Sequence, residues 1–337
     1  MKLHRENGRR GGFTLIELIV VMGLLALLLG MGIGMLGSLN PGKRAALGLV
    51  QNLVRSARNN AIARSAPASV RLDPATGSIT AAGMEVLGTW QFETLGLEGS
   101  SGDHGTSRGG TLLDQGYLGK ALSFLGAGAG AHAEIPLQEN PVFDLREGFM
   151  LECALLVEHS RGGRVLDLGT AAGLECRSDG SLRAWFRPEI TSTSGVVSAG
   201  GLVAADSAPG AWRPGTWMRV EVSYNRRILR LSLDGIELAR ATADSPVLKL
   251  QGPLVIGDPR TPFPGSIDAL SISAVVDSAT ARLPSTVIFA ANVPREISFS
   301  ADGALDRELY NAPVTIGLEY EDGTKARVIV NVYGTVE

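Results

Sequence analysis

Cysteine is nearly missing from this 337-residue sequence, which has only Cys153 and Cys176. Two thiols cannot build a disulfide scaffold, and their separation lacks the local spacing of a zinc site. One bridge in an oxidising compartment and two separately buried thiols are both compatible with the sequence. Aromatic residues make up only 5% against 43 glycines, a balance that suits short strands and tight turns better than packed helices. Excess charge is lacking too, and a formal net charge of −3 gives no general attraction to nucleic acid. The four histidines, His4, His104, His132 and His159, fall in no H-E-x-x-H helix, and no G-x-S-x-G elbow occurs. Scattered Asp and Glu residues define no glycosidase pair, because that chemistry depends on carboxylate separation. The expectation is a protein that is not an enzyme. Its 45% hydrophobic content suffices for about two folded units beyond any membrane segment.

What the sequence does contain is a long apolar run near its start. Residues 13–36 carry a single charge, Glu17, behind a leader with Lys2, Arg5, Arg9 and Arg10. Such a run reaches roughly 36 Å as a helix, enough to cross a hydrocarbon core of about 30 Å. The leader outweighs Lys43 and Arg44 on the far flank, which places the N-terminus in the cytoplasm and the rest outside. A secretory signal would have an apolar core of about 7–15 residues and an A-x-A-like site, and neither is present. A carboxylate in a bilayer interior costs on the order of 3 kcal/mol, so Glu17 implies a partner.

The stretch Gly11-Gly12-Phe13-Thr14-Leu15-Ile16-Glu17 resembles the type IV prepilin signal. The resemblance implies a dedicated prepilin peptidase that cuts after Gly12 and methylates Phe13, the new N-terminal residue. It also implies that Glu17 serves assembly, its charge neutralised by the Phe13 ammonium of a neighbouring subunit. A bacterial source follows from the same resemblance. Gly30, Gly32, Gly34 and Gly37 read either as a point where the helix loosens in a filament or as a small-residue packing stripe. Residues 37–43 imitate a phosphate-binding loop, but Arg44 replaces the required Ser or Thr and no strand precedes it.

Asn40 and Pro41 read as the N-cap and first position of a second helix reaching about residue 64. Leu47, Val50, Val54, Ala57 and Ala61 form one stripe for packing on a sheet, with Arg55, Arg58 and Arg64 mostly on a solvated face. A hairpin follows over 68–81, turning at 73–77. Similar strands return only at the far end, over 286–289, 296–299, 314–320 and 326–332. The outer segments resemble the minor pseudopilin H family of type II secretion and the related T-type fimbrial minor pilins. That resemblance rests on Ala57-Arg58-Asn59-Asn60-Ala61, on residues 297–303, on Arg327-Val328-Ile329-Val330 and on Gly334.

Between these segments the pattern is all β, with strands expected over 148–157, 163–167, 182–186, 217–224, 228–233 and 266–272 and a hairpin at Asp234-Gly235. Trp90-Gln91-Phe92-Glu93, Gly119-Lys120-Ala121-Leu122-Ser123-Phe124, Phe149-Met150-Leu151-Glu152, Gly215-Thr216-Trp217, Leu233-Asp234-Gly235 and Gly265-Ser266-Ile267-Asp268-Ala269-Leu270 resemble, in that order, the laminin G-like, concanavalin A-like family. Members of that family bind glycans, proteins or calcium, or act as spacers. Asp268 matches an acidic position of the family, and Glu98 and Asp103 lie where an early-loop aspartate is common, so these three are candidate calcium ligands. The competing reading is that Asp268 satisfies a turn. Trp185, Trp212 and Tyr224 are candidate exposed platforms for sugar, whereas Trp90 and Trp217 read as core.

The expected fold is α+β and pilin-like, a long N-terminal helix plus a small antiparallel sheet, with a large all-β jelly-roll sandwich inserted. Boundaries fall at 1–12 for the leader, 13–66 for the helical part, 67–86 for the first pilin β part, 87–279 for the sandwich and 280–337 for the second β part. No cofactor is assigned apart from the calcium reading. Expected partners are the prepilin peptidase/methylase, other pseudopilins or pilins, the bacterial inner membrane, and a glycan or secreted protein. The resemblance implies a single-pass protein with a periplasmic C-terminal part that enters a pseudopilus of a type II secretion-like machine. An adhesive minor pilin is the alternative.

Overall fold

Residues 15–38, 41–158, 161–260 and 263–337 are described by a computed structural model, the side chains of 28–38 and 41 excepted. Two helices, α1 (Leu15–Ser38) and α2 (Pro41–Arg64), precede a body of antiparallel strands. Proline at the first position of α2 costs nothing, because its missing N–H would have no intrahelical partner there. Val50, Val54, Ala57 and Ala61 recur at helical spacing and are all buried. Together with Ala46, which takes the buried place next to half-buried Leu47, they cover β1 (Ala68–Asp73) and the first half of β2 (Ser78–Trp90).

A large antiparallel β-sandwich makes up most of the chain. One layer is a ten-stranded sheet whose main path runs Ile236–Thr242, Ile228–Leu233, Trp217–Tyr224, Phe149–Val157, Gly265–Arg282, β2, β1, Glu296–Phe299. The other is a seven-stranded sheet from Val203–Asp206 to Thr106–Arg108. Inward-facing Trp90, Phe149, Tyr224 and Phe186 fill the space between the layers, as period-2 patterning demands. A second core joins α2 to β1, β2, Glu296–Phe299 and a three-stranded sheet of Val287–Phe289, Val314–Tyr320 and Lys325–Val330.

Two strands serve both cores. β2 has 13 residues and Gly265–Arg282 has 18, and β2 pairs along its length with the stretch Leu270 to Arg282. Ile79 and Ala81 belong to the helix core, while Leu87 and Trp90 belong to the sandwich core. The strand ends expected near 81 and 272 are therefore wrong: both strands run on, through bulges that correct their register. Gly83 permits this continuity, since a Cβ there would sit 2.2 Å from the Asn60 amide nitrogen of α2.

The ten-stranded sheet also curls. Arg230 and Arg240, on the strands at one end of its path, donate to Glu308 at 2.8 and 2.6 Å. Glu308 follows the strand at the opposite end, where the Asp306 N–H donates to the Ser298 carbonyl. Arg227 approaches Glu296 at 3.9 Å along the same seam. Arg71 of β1 and Arg226 both pair with Glu147, at 2.6 and 3.0 Å. The outer face of the sheet thus becomes the inside of a trough.

Candidate functional site

Gly12 and Phe13, the expected cleavage and methylation positions, lie outside the described residues, as does His159. Glu17 is in the first turn of α1. Every described side chain from 15 to 27 is exposed in the single chain, Leu15 at 77% and Leu27 at 57%. A helix apolar on all sides finds no burial within its own chain. Among the described residues no helix is long and apolar enough to cross a membrane.

Beyond α1 the first turn of α2 is fastened to the C-terminal sheet. Lys43 donates to Asp322 and to Thr324, each at 2.5 Å, and lies 5.0 Å from the centre of the Tyr320 ring. The bonds from Lys43 and Thr324 hold the Asp322 carboxyl down at about 2. On the far end of α2, Arg58 donates to the Gly303 carbonyl at 3.2 Å, while Arg55 and Arg64 are exposed.

The sandwich residues expected to bind are largely displaced from that role. Trp185, Trp212 and Tyr224 are buried, at 5%, 4% and 0% exposure, so none offers a ring face to a sugar. The Arg164 guanidinium covers Trp185 from 5.9 Å, Trp212 donates to the Ser181 carbonyl, and the Tyr224 hydroxyl donates to the carbonyls of Ala243 and Ser245. Tyr224 alternates inward on its strand, which the period-2 pattern of Val220, Val222 and Tyr224 already contained. Trp90 is core, but Trp217 is only half-buried and faces outward, 6.2 Å from the ring of Tyr117.

Glu98, Asp103 and Asp268 do not converge, and no group of three or more metal-ligating side chains occurs among the described residues. Glu98 is exposed, and Asp103 accepts from the Asn140 amide at 2.8 Å. Asp268 is fully buried and accepts from the backbone N–H groups of Leu118 and Ala269 at 2.7 and 2.6 Å. Burial pushes its carboxyl up against those bonds. This is the turn-satisfying role, and it accounts for why Ala269 is held at a φ of 48°. Cys153 and Cys176 are free thiols on the two facing sheets, not a bridge, and burial pushes both thiols up.

Sequence reasoning missed Tyr117. It sits between Gly116 and Leu118-Gly119 in a loop and is 45% exposed. An aromatic flanked by glycines outside any strand pattern is the signal that was available.

Among solved structures, domain 4 of AbnA, an extracellular arabinanase from Geobacillus stearothermophilus solved with arabinotriose, is similar at TM-score 0.42 and 17% identity, over 58% of this chain and 95% of that one. The binding domain of botulinum neurotoxin DC in complex with SialylT gives 0.42 and 12%, over 57% and 48%. A mutant Trypanosoma rangeli sialidase displaying trans-sialidase activity gives 0.39 and 14%, over 67% and 36%. The chain thus spans about half or less of the latter two. No curated protein matches the sequence. Residues 7–33 match the prokaryotic N-terminal methylation motif, so the chain carries a type IV pilin-like N-terminus.

Proposed function

We propose that this protein is a non-enzymatic minor pseudopilin. In this reading prepilin peptidase cuts between Gly12 and Phe13 and methylates Phe13. The apolar run then anchors the chain in the bacterial inner membrane, with the strand-rich body in the periplasm. It enters a pseudopilus of a type II secretion-like machine through α1, and the inserted sandwich, over about 87–279, acts as a recognition module. The observation that carries the reading is the methylation motif at 7–33 leading into a helix whose described apolar side chains are all uncovered. Sister helices would cover them, and the ammonium of a neighbouring Phe13 would meet Glu17.

A photo-crosslinker in place of Leu18 tests assembly in intact cells. Linkage to another pilin-like subunit is the expected result, and a chain that never links to one contradicts it. The alternative is a minor type IV pilin whose sandwich is an adhesin for glycan or matrix, and the trough on the sandwich favours keeping it. Deleting the protein separates the two: secretion fails under the first reading, attachment under the second.

A further inference from the structure

The curl of the ten-stranded sheet leaves a cleft of about 580 Å³ between the end of α2 and the outward faces of the Phe149–Val157 and Trp217–Tyr224 strands. Its size falls within the range of about 300–1,000 Å³ typical of small-ligand sites. Neither layer of the sandwich would form it alone, since Arg64 and Ser65 come from the helix side.

The lining combines three kinds of group. Tyr117 presents a 45% exposed ring next to Trp217, with ring centres 6.2 Å apart and the planes tilted by 59°. Glu152 and Glu221 are direct partners across adjacent strands, a like-charge pair that is unfavourable unless countered. Arg219 donates to Glu152 at 2.5 Å and, with Arg230, partly offsets the charge of Glu221, while its backbone N–H donates to Asp234 at 2.8 Å. Among the described residues no hydrogen bond reaches the Glu221 carboxylate, which is half-buried, and burial followed by the charge of Glu152 pushes it up. Its carboxylate lines the cleft, where a bound group can donate to it.

We infer that this cleft is a saccharide-binding site for uncharged glycan chains, with Tyr117 as the stacking platform and Glu221 and Glu152 as acceptors for sugar hydroxyls. The C–H face of a pyranose packs on an exposed aromatic ring, and its hydroxyls can donate to the Glu221 and Glu152 carboxylates. Arg219, held by Glu152, offers oriented donors for ring or hydroxyl oxygens. Glu152, Glu221 and Asp234 against Arg64 and Arg219 leave the lining with one more negative than positive charge. A sulfated or phosphorylated chain is therefore repelled where a neutral one is accepted. The inference names a ligand class for the recognition module proposed above and rests on that reading, although filament entry depends on a different part of the chain.

The test uses the full-length protein in detergent micelles, titrated with cellotetraose, chitotetraose and mannotetraose while tryptophan fluorescence is read, with Trp217 as the reporter beside the platform. At least one of the three should saturate below about 10 mM. Tyr117→Ala and Glu221→Gln should each weaken that binding by about tenfold or more without lowering the melting temperature. Saturation by none of the three overturns the inference, as does unchanged binding in both variants. Should either variant unfold, Tyr117→Phe, which keeps the ring, must bind and Tyr117→Ser must not. Photo-crosslinking at Leu18 in the Tyr117→Ala variant should stay as in the parent, so loss of glycan binding and loss of assembly report on separate claims.

Discussion

The Arg240 guanidinium donates to Glu308 at 2.6 Å and so ties the first strand on the path of the ten-stranded sheet to the segment that follows its last. Glu308 also accepts from Arg230, and Glu237 accepts from Arg240, giving a network rather than an isolated surface pair. Two shared strands and this seam hold the sandwich on the helix-bearing part in one orientation, where a flexible linker would leave it free.

Removing the latch should loosen that orientation at modest cost. Glu308→Gln is expected to lower stability by about 1 kcal/mol, read as a shift in the urea midpoint. In a double-mutant cycle with Arg240→Ala the two losses should fall short of adding. Fully additive losses would mean that the pair contributes nothing.

The same residue fixes a pH dependence. Burial works to raise the Glu308 carboxyl, but Arg230 and Arg240 outweigh it and its value is lowered from 4.5. A carboxyl lowered on folding stabilises the fold above its unfolded value, and that contribution is lost as pH falls through the folded value. The difference in melting temperature between parent and Glu308→Gln should therefore shrink below pH 4.5. Glu221 and Asp268, both raised by burial, have the opposite sign and favour the fold as they protonate.

Asp268 is expected to matter for structure, not for calcium. Asp268→Ala strands the N–H groups of Leu118 and Ala269 and should cost about 1–3 kcal/mol. Added calcium or a chelator should leave the melting temperature of the parent unchanged. A calcium-dependent rise would restore the ligand reading for that loop.

Cys153 and Cys176 should resist a thiol reagent in the native state and react with it only in denaturant, because both are buried and the thiolate is disfavoured. Rapid native labelling would contradict the packing of the sandwich core.

Much of the fold was legible in the sequence. Strands at Leu182–Phe186, Trp217–Tyr224, Ile228–Leu233, Glu296–Phe299 and Val314–Tyr320 follow their apolar alternation, and α2 begins at its proline. The continuation of β2 past the expected end at 81 runs through Gly83 and Gly88, which mark the close approach of Asn60 and a bulge. The binding face was less legible. The inward turn of Tyr224 was present in the alternation of its strand, whereas for Trp185 only the second layer decides which face is covered. Tyr117 depends on a loop position that periodicity does not reach. The curl brings together residues about 80 positions apart, such as the ion pair of Arg230 and Glu308, for which no local pattern exists.

The central claim concerns the N-terminus, and intact mass measures it directly. Protein isolated from cells containing the matching prepilin peptidase should begin at Phe13 and carry one added methyl group, while Gly12→Ala should accumulate as full-length precursor. A native chain that keeps its first twelve residues, or a Gly12→Ala chain trimmed like the parent, would contradict the account.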